Sequence, residues 1–367
     1  MAAIGDWLLR LLGRAPRLEE GPARKRGKAT HIVILDGTMS SLDEGFETNA
    51  GLTFKLLRES GHTANLTLHY EAGIQWRDWR STLDVLTGKG LNRQIQRAYG
   101  VLASRWRPGD RIILIGYSRG AFAVRSLAGV IDVVGLLRHD QATVRNIRQA
   151  YRHYRTGGRS KYAQAFTEKF CHASADIEAV ACWDTVKALG MRLPILWRWA
   201  EATHQFHNHR LGAHVRNGFH ALALDETREA YAPILWETPA NWNGHLEQVW
   251  FRGSHADIGG QVGKYPKARP LANIPLVWML EKLESCDLPL PLNWQSRFAC
   301  DPMAPSIGTW HGWAKLFLSR RRRQTGTDRS ETLHDSARGH PSARKFKQNV
   351  AIGNAEDGSA RLGDQAG

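Results

Sequence analysis

Ser118 stands in Gly116-Tyr117-Ser118-Arg119-Gly120, directly after the apolar run Ile112-Ile113-Leu114-Ile115 and before a small-residue, helix-like stretch from Ala121 to Val130. Strand, sharp turn and helix form the context in which G-x-S-x-G presents a serine oxygen beyond a sheet edge. Such a turn requires strained backbone angles with neighbouring chain close on both sides. Glycines two residues before and after the serine remove the side chains that would collide there. Five-residue matches of this kind are common and most are ordinary turns; the flanking strand and helix are what make Ser118 a candidate nucleophile. Serine also needs a base to take its proton as it attacks, and a carboxylate to hold that base in the right tautomer. Asp184 follows Val180-Ala181-Cys182-Trp183, and His255 lies in Gly253-Ser254-His255-Ala256-Asp257-Ile258-Gly259-Gly260. The chain order Ser, Asp, His is the order of α/β-hydrolases. Alternatives stay open at this point: His220 is the rival base, and Asp225 and Asp257 are alternative acids. Asp257 reads more naturally as a brace for the loop of His255, and Asp184 also fits a helix N-cap. Donors for a developing oxyanion are expected from the backbone N–H of Arg119 and from the Gly37-Thr38 turn, with Asp36 fixing that turn.

The elements that must carry these residues alternate. His31–Leu35 reads as a buried strand ending at Asp36-Gly37-Thr38, Leu66–Tyr70 as a second, and residues 89–106 as a helix. The strand before the elbow begins near Arg111, and two helical stretches fill 142–170. Ile177–Trp183 and Gln248–Phe251 read as further strands, and 271–285 as a returning helix. Strands separated by helices predict an α/β fold with a mainly parallel sheet covered on both faces. Right-handed crossovers then bring the ends carrying Asp36, Ser118, Asp184 and His255 to one sheet edge.

The 367 residues carry 50 Lys and Arg against 35 Asp and Glu, a formal net charge of +15. That balance favours polyanions, whether acidic lipid or nucleic acid. No helix-turn-helix, zinc-finger or RNP-type motif accompanies it, so nucleic acid is not the expected partner. Arg24-Lys25-Arg26 with Lys28, and Arg320–Arg323, concentrate part of the charge and read as solvated basic runs. Residues 1–28 form a basic, amphipathic extension, with Ile4, Trp7, Leu8, Leu11 and Leu12 at helical spacing, suited to a membrane interface or to the protein body. Arg10 interrupts its apolar run and no small-residue cleavage site follows, so a secretory signal is not expected. The domain expected to hold the chemistry spans 29–340, and 341–367 reads as a disordered tail. Cys171, Cys182, Cys286 and Cys300 are scattered, which fits free thiols in a reducing, cytoplasmic setting. A P-loop match is absent, and His204, His207, His209 and His214 lack carboxylates at ligand spacing, so neither cofactor nor metal is expected.

Taken together, these segments resemble the catalytic domain of the first class of type VI secretion lipase effectors, an α/β-hydrolase family. The resemblance rests on Leu35-Asp36-Gly37-Thr38, Gly116–Ala121, Trp183-Asp184-Thr185-Val186, His220–Glu226, Gly253–Gly260 and Leu333-His334-Asp335-Ser336, and it covers roughly residues 30–340. It implies a cofactor-free serine esterase that deacylates phospholipids, with Ser118 as nucleophile, His255 as base and Asp184 as acid. It also implies a phospholipid or other acyl-ester substrate. The basic surface and the amphipathic start favour peripheral contact with anionic membranes, and a role as a secreted effector does not follow from the enzyme fold. Met39-Ser40 stands where the family usually has Trp-Asn, a departure at the substrate mouth.

Overall fold

The structure, a computed structural model, describes residues 27–60, 65–73, 89–186, 210–310 and 319–347. The expected N-terminal amphipathic helix, His204, His207 and His209, and residues 348–367 lie outside the described residues.

Seven parallel strands make the sheet: β1 (Thr30–Leu35), β2 (Leu66–Glu71), β3 (Arg111–Tyr117), β4 (Ile177–Trp183), β5 (Val215–Ala223), β6 (His245–Phe251) and β7 (Glu331–Leu333), in spatial order β2-β1-β3-β4-β5-β6-β7. Central strands of such a sheet are apolar on both faces, and the pleat divides them. Ile32, Ile34, Ile113 and Ile115 pack on one face against α1 (Asn49–Ser60) and the later helix Arg269–Glu284. Val33, Leu35, Ile112 and Leu114 pack on the other face against α2 (Lys89–Arg105) and α3 (Arg119–Val134). α4 (Val144–Arg155) and α5 (Lys161–Phe170) lie over α3. The short α6 (His255–Gly259) precedes α7 (Arg269–Glu284). The α/β architecture is thus the one expected, with helices on both faces.

Chain order reverses between β1 and β3. The chain moves outward from β1 to β2, then crosses to the other side of β1 and continues from β3 to β7. Carboxyl ends of strands flanking such a reversal open a crevice. The Asp36–Thr38 turn and Ser118 stand at the carboxyl ends of these two strands, β1 and β3. Two strands were not anticipated: β5, which carries His220, and β7, which pairs with β6 at the far edge. The stretch after Arg320 supplies β7 and packs as far as Lys347.

Candidate functional site

Ser118 occupies the turn between β3 and α3 with φ 57° and ψ −119°, a region non-glycine residues rarely enter. Backbone in such a region costs about 1–3 kcal/mol and persists only when the surroundings fix it. Here they do: Ser118 N–H donates to the Trp183 carbonyl at the end of β4 (2.9 Å), and the Phe122 N–H already bonds the Ser118 carbonyl. A Cβ on Gly120 would stand 2.0 Å from the Leu35 carbonyl oxygen, and one on Gly116 would stand 2.7 Å from Ala121 backbone. The two glycines therefore let the elbow close against β1 and against its own helix.

Asp184 follows β4 with φ 41°, also positive, its N–H bonded to the Ala221 carbonyl (2.8 Å). His255 opens α6, whose start is fixed by a reciprocal cap between Ser254 and Asp257. The structure brings the three residues together: Ser118 Oγ lies 2.9 Å from His255 Nε2, and His255 Nδ1 lies 2.5 Å from Asp184 Oδ2. All three are buried, and Asp184 fully so. With Asp184 ionised, Nδ1–H is the donor to the carboxylate, which leaves Nε2 to accept from the serine hydroxyl.

Burial would push the Asp184 carboxyl up, but the Arg323 charge and hydrogen bonds, together with His255, outweigh it and hold the group well below the usual carboxylate range. Burial lowers the His255 pKa, against the opposing pull of Asp184 and Glu226. Tyr117 stacks on the imidazole, with ring centroids 5.0 Å apart, and Tyr231 approaches at 4.8 Å. Glu226, locked to Arg228 by a bidentate pair, accepts the His255 backbone N–H (3.2 Å).

The alternatives occupy other positions. Asp257 accepts from Ser254 N–H (2.7 Å), Ser306 Oγ (2.5 Å) and Ile307 N–H (2.9 Å), so it braces the His255 loop. Asp225 accepts from Gly253 N–H (2.8 Å), Ser342 Oγ (3.0 Å) and Lys345. His220 is fully buried in β5; its Nε2 accepts from Thr185 N–H (3.1 Å), and burial pushes its pKa down to about 3. That ring supports the turn bearing Asp184.

At the end of β1, Asp36 Oδ1 accepts the Gly37 N–H (2.6 Å), while Oδ2 accepts from Thr48 and Tyr70 hydroxyls, both at 2.7 Å. Gln261 Nε2 donates to the Thr38 carbonyl (3.1 Å). The turn is therefore pinned from both sides, with the Gly37 N–H committed to Asp36. Burial raises the Asp36 carboxyl to about 6 despite those hydrogen bonds.

Sequence reasoning missed Arg323. Its side chain is buried and reaches both oxygens of Asp184. The run Arg320–Arg323 offered no signal that one of four successive arginines turns inward. Cys171, Cys182 and Cys286 are buried free thiols, and Cys300 is exposed and free.

A parallel α/β sheet with polar residues converging at the carboxyl ends of its strands defines the class of protein. Within it, the chain belongs to the type VI secretion phospholipase effector Tle1-like catalytic-domain family, whose model matches residues 29–282, more than half of the chain. It is 28% identical over 229 residues to the uncharacterized protein YEL023C of Saccharomyces cerevisiae, covering 56% of this chain and 32% of that protein. Among solved structures it overlaps an uncharacterized protein from Pseudomonas aeruginosa (TM-score 0.43, 16% identity, 75% of this chain and 49% of that one). It also overlaps a Tle1 effector solved bound to the VgrG spike of the type 6 secretion system (TM-score 0.33, 16% identity, 64% and 51%). The chain thus spans about a third of the yeast protein and about half of each solved chain.

Proposed function

We propose that the protein is a serine esterase that hydrolyses acyl esters of phospholipids. The observation that carries this reading is the hydrogen-bonded series Ser118 Oγ–His255 Nε2 and His255 Nδ1–Asp184 Oδ2, with Ser118 held at positive φ on an elbow between β3 and α3. Ser118 Oγ attacks the ester carbonyl carbon as its proton passes to His255 Nε2. Asp184 orients the imidazole and stabilises its charged form. The carbonyl oxygen becomes an oxyanion, which the backbone N–H groups of Arg119 and Thr38 stabilise; Gly37 is spoken for by Asp36. Collapse breaks the ester C–O bond, and the leaving alkoxide takes the proton from His255. Water then attacks the acyl-serine as its proton passes to His255 Nε2; the bond between the acyl carbon and Ser118 Oγ breaks, His255 returns the proton to Oγ, and the fatty acid leaves.

Family membership supports phospholipid as the ester. So does the surface of α4, where Arg145, Arg148, Arg152 and Arg155 are all exposed in a helix without an acidic residue. At about 100° per residue these four fall within an arc of about 80°, one cationic stripe matched to anionic headgroups.

The test is hydrolysis of phosphatidylglycerol vesicles, read as released fatty acid, with fluorophosphonate labelling of the same protein. Wild type is expected to label and to release fatty acid. Ser118→Ala is expected to do neither while keeping its thermal midpoint, since the residue contributes little packing. Folded wild type that neither labels nor hydrolyses any ester would favour a hydrolase-like binding protein instead. Turnover of short-chain esters or thioesters without any of vesicles would assign a soluble substrate. Full activity in Ser118→Ala would refute the nucleophile.

A further inference from the structure

We propose that Arg323 is a positioning residue that clamps the triad acid and lowers the basicity of His255. The inference rests on the Ser118–His255–Asp184 reading above and adds a fourth residue to it.

The geometry is that of a fork on a carboxylate. Arg323 Nη1 donates to Asp184 Oδ1 (2.5 Å) and to the Ala223 carbonyl (2.9 Å). Arg323 Nη2 donates to Asp184 Oδ2 (2.8 Å) and to the Tyr231 carbonyl (2.6 Å). Both terminal nitrogens thus spend both of their N–H groups, on acceptors drawn from the ends of β4 and β5 and from the loop that places Tyr231 beside the imidazole. A bidentate guanidinium fixes the plane of a carboxylate, which lysine cannot do. Oδ1 also accepts the Ala223 N–H (3.0 Å), so Oδ1 takes Arg323 and Ala223 while Oδ2 takes Arg323 and His255.

The segment bearing Arg323 is itself clipped in place. Glu229 N–H bonds the Ser319 carbonyl (3.0 Å), Arg321 N–H bonds the Thr227 carbonyl (2.7 Å), and Arg320 lies over the Trp310 ring at 3.9 Å. Residues 319–323 therefore run along the 227–231 loop and deliver one guanidinium under the strand ends. This segment lies beyond the residues matched by the family model.

The consequence is electrostatic. An unclamped buried aspartate would give its whole charge to the imidazolium and raise the pKa of the histidine. Arg323 shares that charge and repels a second cation. The other charged and titratable groups facing His255 are Glu226, Arg228, Tyr117 and Tyr231, and His220 faces Asp184 from β5. Glu226 and Arg228 act on His255 with opposite signs and form their own pair, so beside burial the remaining influence is the charge of Asp184, which Arg323 shares.

Removing the clamp therefore makes His255 more basic. In Arg323→Gln the acid limb of kcat/KM for a soluble ester is expected to move up by about one pH unit, with about a tenfold loss at pH 8 and up to about a further tenfold loss below the limb. Arg323→Lys, which reaches one oxygen but not two, is expected to move the limb the same way by less. If the Gln variant does not fold, the Lys variant alone reads the result. A limb that stays at its wild-type position in a folded variant overturns the proposal, because a merely structural arginine would lower activity without moving it. Asp184→Asn separates the two levels: if it retains wild-type rate, the triad reading fails. If Asp184→Asn is inactive while the limb of the Arg323 variants is unmoved, the Arg323 assignment alone fails.

Discussion

A base that accepts a proton from serine must be neutral beforehand and comfortable as a cation afterwards. His255, the proposed base, is under opposed influences: burial disfavours its charged form and lowers the pKa, while Asp184 and Glu226 pull the other way. The sign of the result fixes the pH dependence. A histidine below its ordinary value of about 6.5 is neutral and competent at and above neutrality, and kcat/KM falls only as pH drops through the lowered pKa. The expected profile for a soluble ester is a plateau from about pH 7 upward with one acid limb whose midpoint lies below about 6.5. Asp184, held well below the usual carboxylate range, adds no second limb above about pH 4. A limb centred at or above pH 7 would mean that the carboxylate, and not burial, governs the ring. Replacing the acid itself, as Asp184→Asn, leaves the serine but removes the group that fixes the tautomer, and a loss in kcat on the order of 10³–10⁴ is expected.

At the scale of elements, the elbow depends on how closely α3 approaches β1. Gly120→Ala places a methyl 2.0 Å from the Leu35 carbonyl and 2.6 Å from the Asp36 carbonyl, so strand and helix must separate. Overpacking of this kind costs about 1–3 kcal/mol and sometimes more, and the two proposed oxyanion donors would move apart as well. Gly157→Ala, at φ 83° with open space around it, carries only the left-handed penalty of about 1 kcal/mol. Urea midpoints should rank wild type, Gly157→Ala, Gly120→Ala, with esterase activity lost only in the last. Equal midpoints for the two variants would contradict the close approach. The same packing explains what the sequence reveals. β1, β3 and β4 are legible as unbroken apolar runs because both of their faces are covered, and the polar residue ending each run stands out. β5 hides because Arg216, Asn217, Gly218 and His220 interrupt it; His220 is buried with its Nε2 accepting the Thr185 N–H and its ring edge-on to Trp236. β7 is three residues long at a sheet edge, too short for any period. Ser118, Asp184 and His255 could be found because each follows a readable strand. Arg323 could not, because its partner lies 139 residues away and nothing local distinguishes it from Arg320, Arg321 or Arg322.

For the whole molecule the question is where a net charge of +15 acts. Four arginines at three- and four-residue spacing along α4 repel one another, each close pair costing a few tenths of a kcal/mol, and the helix holds no acid to offset them. None forms an ion pair among the described residues. On the opposite side of the same helix, Ala150, Tyr151 and Tyr154 are buried, so packing fixes the direction in which the stripe points. No helix among the described residues is long and apolar enough to cross a membrane. Each basic side chain near an anionic surface contributes about 1 kcal/mol, screened within a Debye length. Arg148→Glu combined with Arg152→Glu is therefore expected to weaken binding to phosphatidylglycerol vesicles by at least about tenfold at 0.1 M salt, less at 0.5 M, while the rate on a soluble ester stays at the wild-type value. Deleting residues 1–28 is expected to weaken vesicle binding independently, again without loss on soluble esters. If the α4 variant binds as wild type and the deletion does not, the membrane contact belongs to the N-terminal extension alone. If neither change matters but nucleic acid competes with vesicles, the positive surface serves a different polyanion, and the ester proposed as the substrate of Ser118 need not be a membrane lipid.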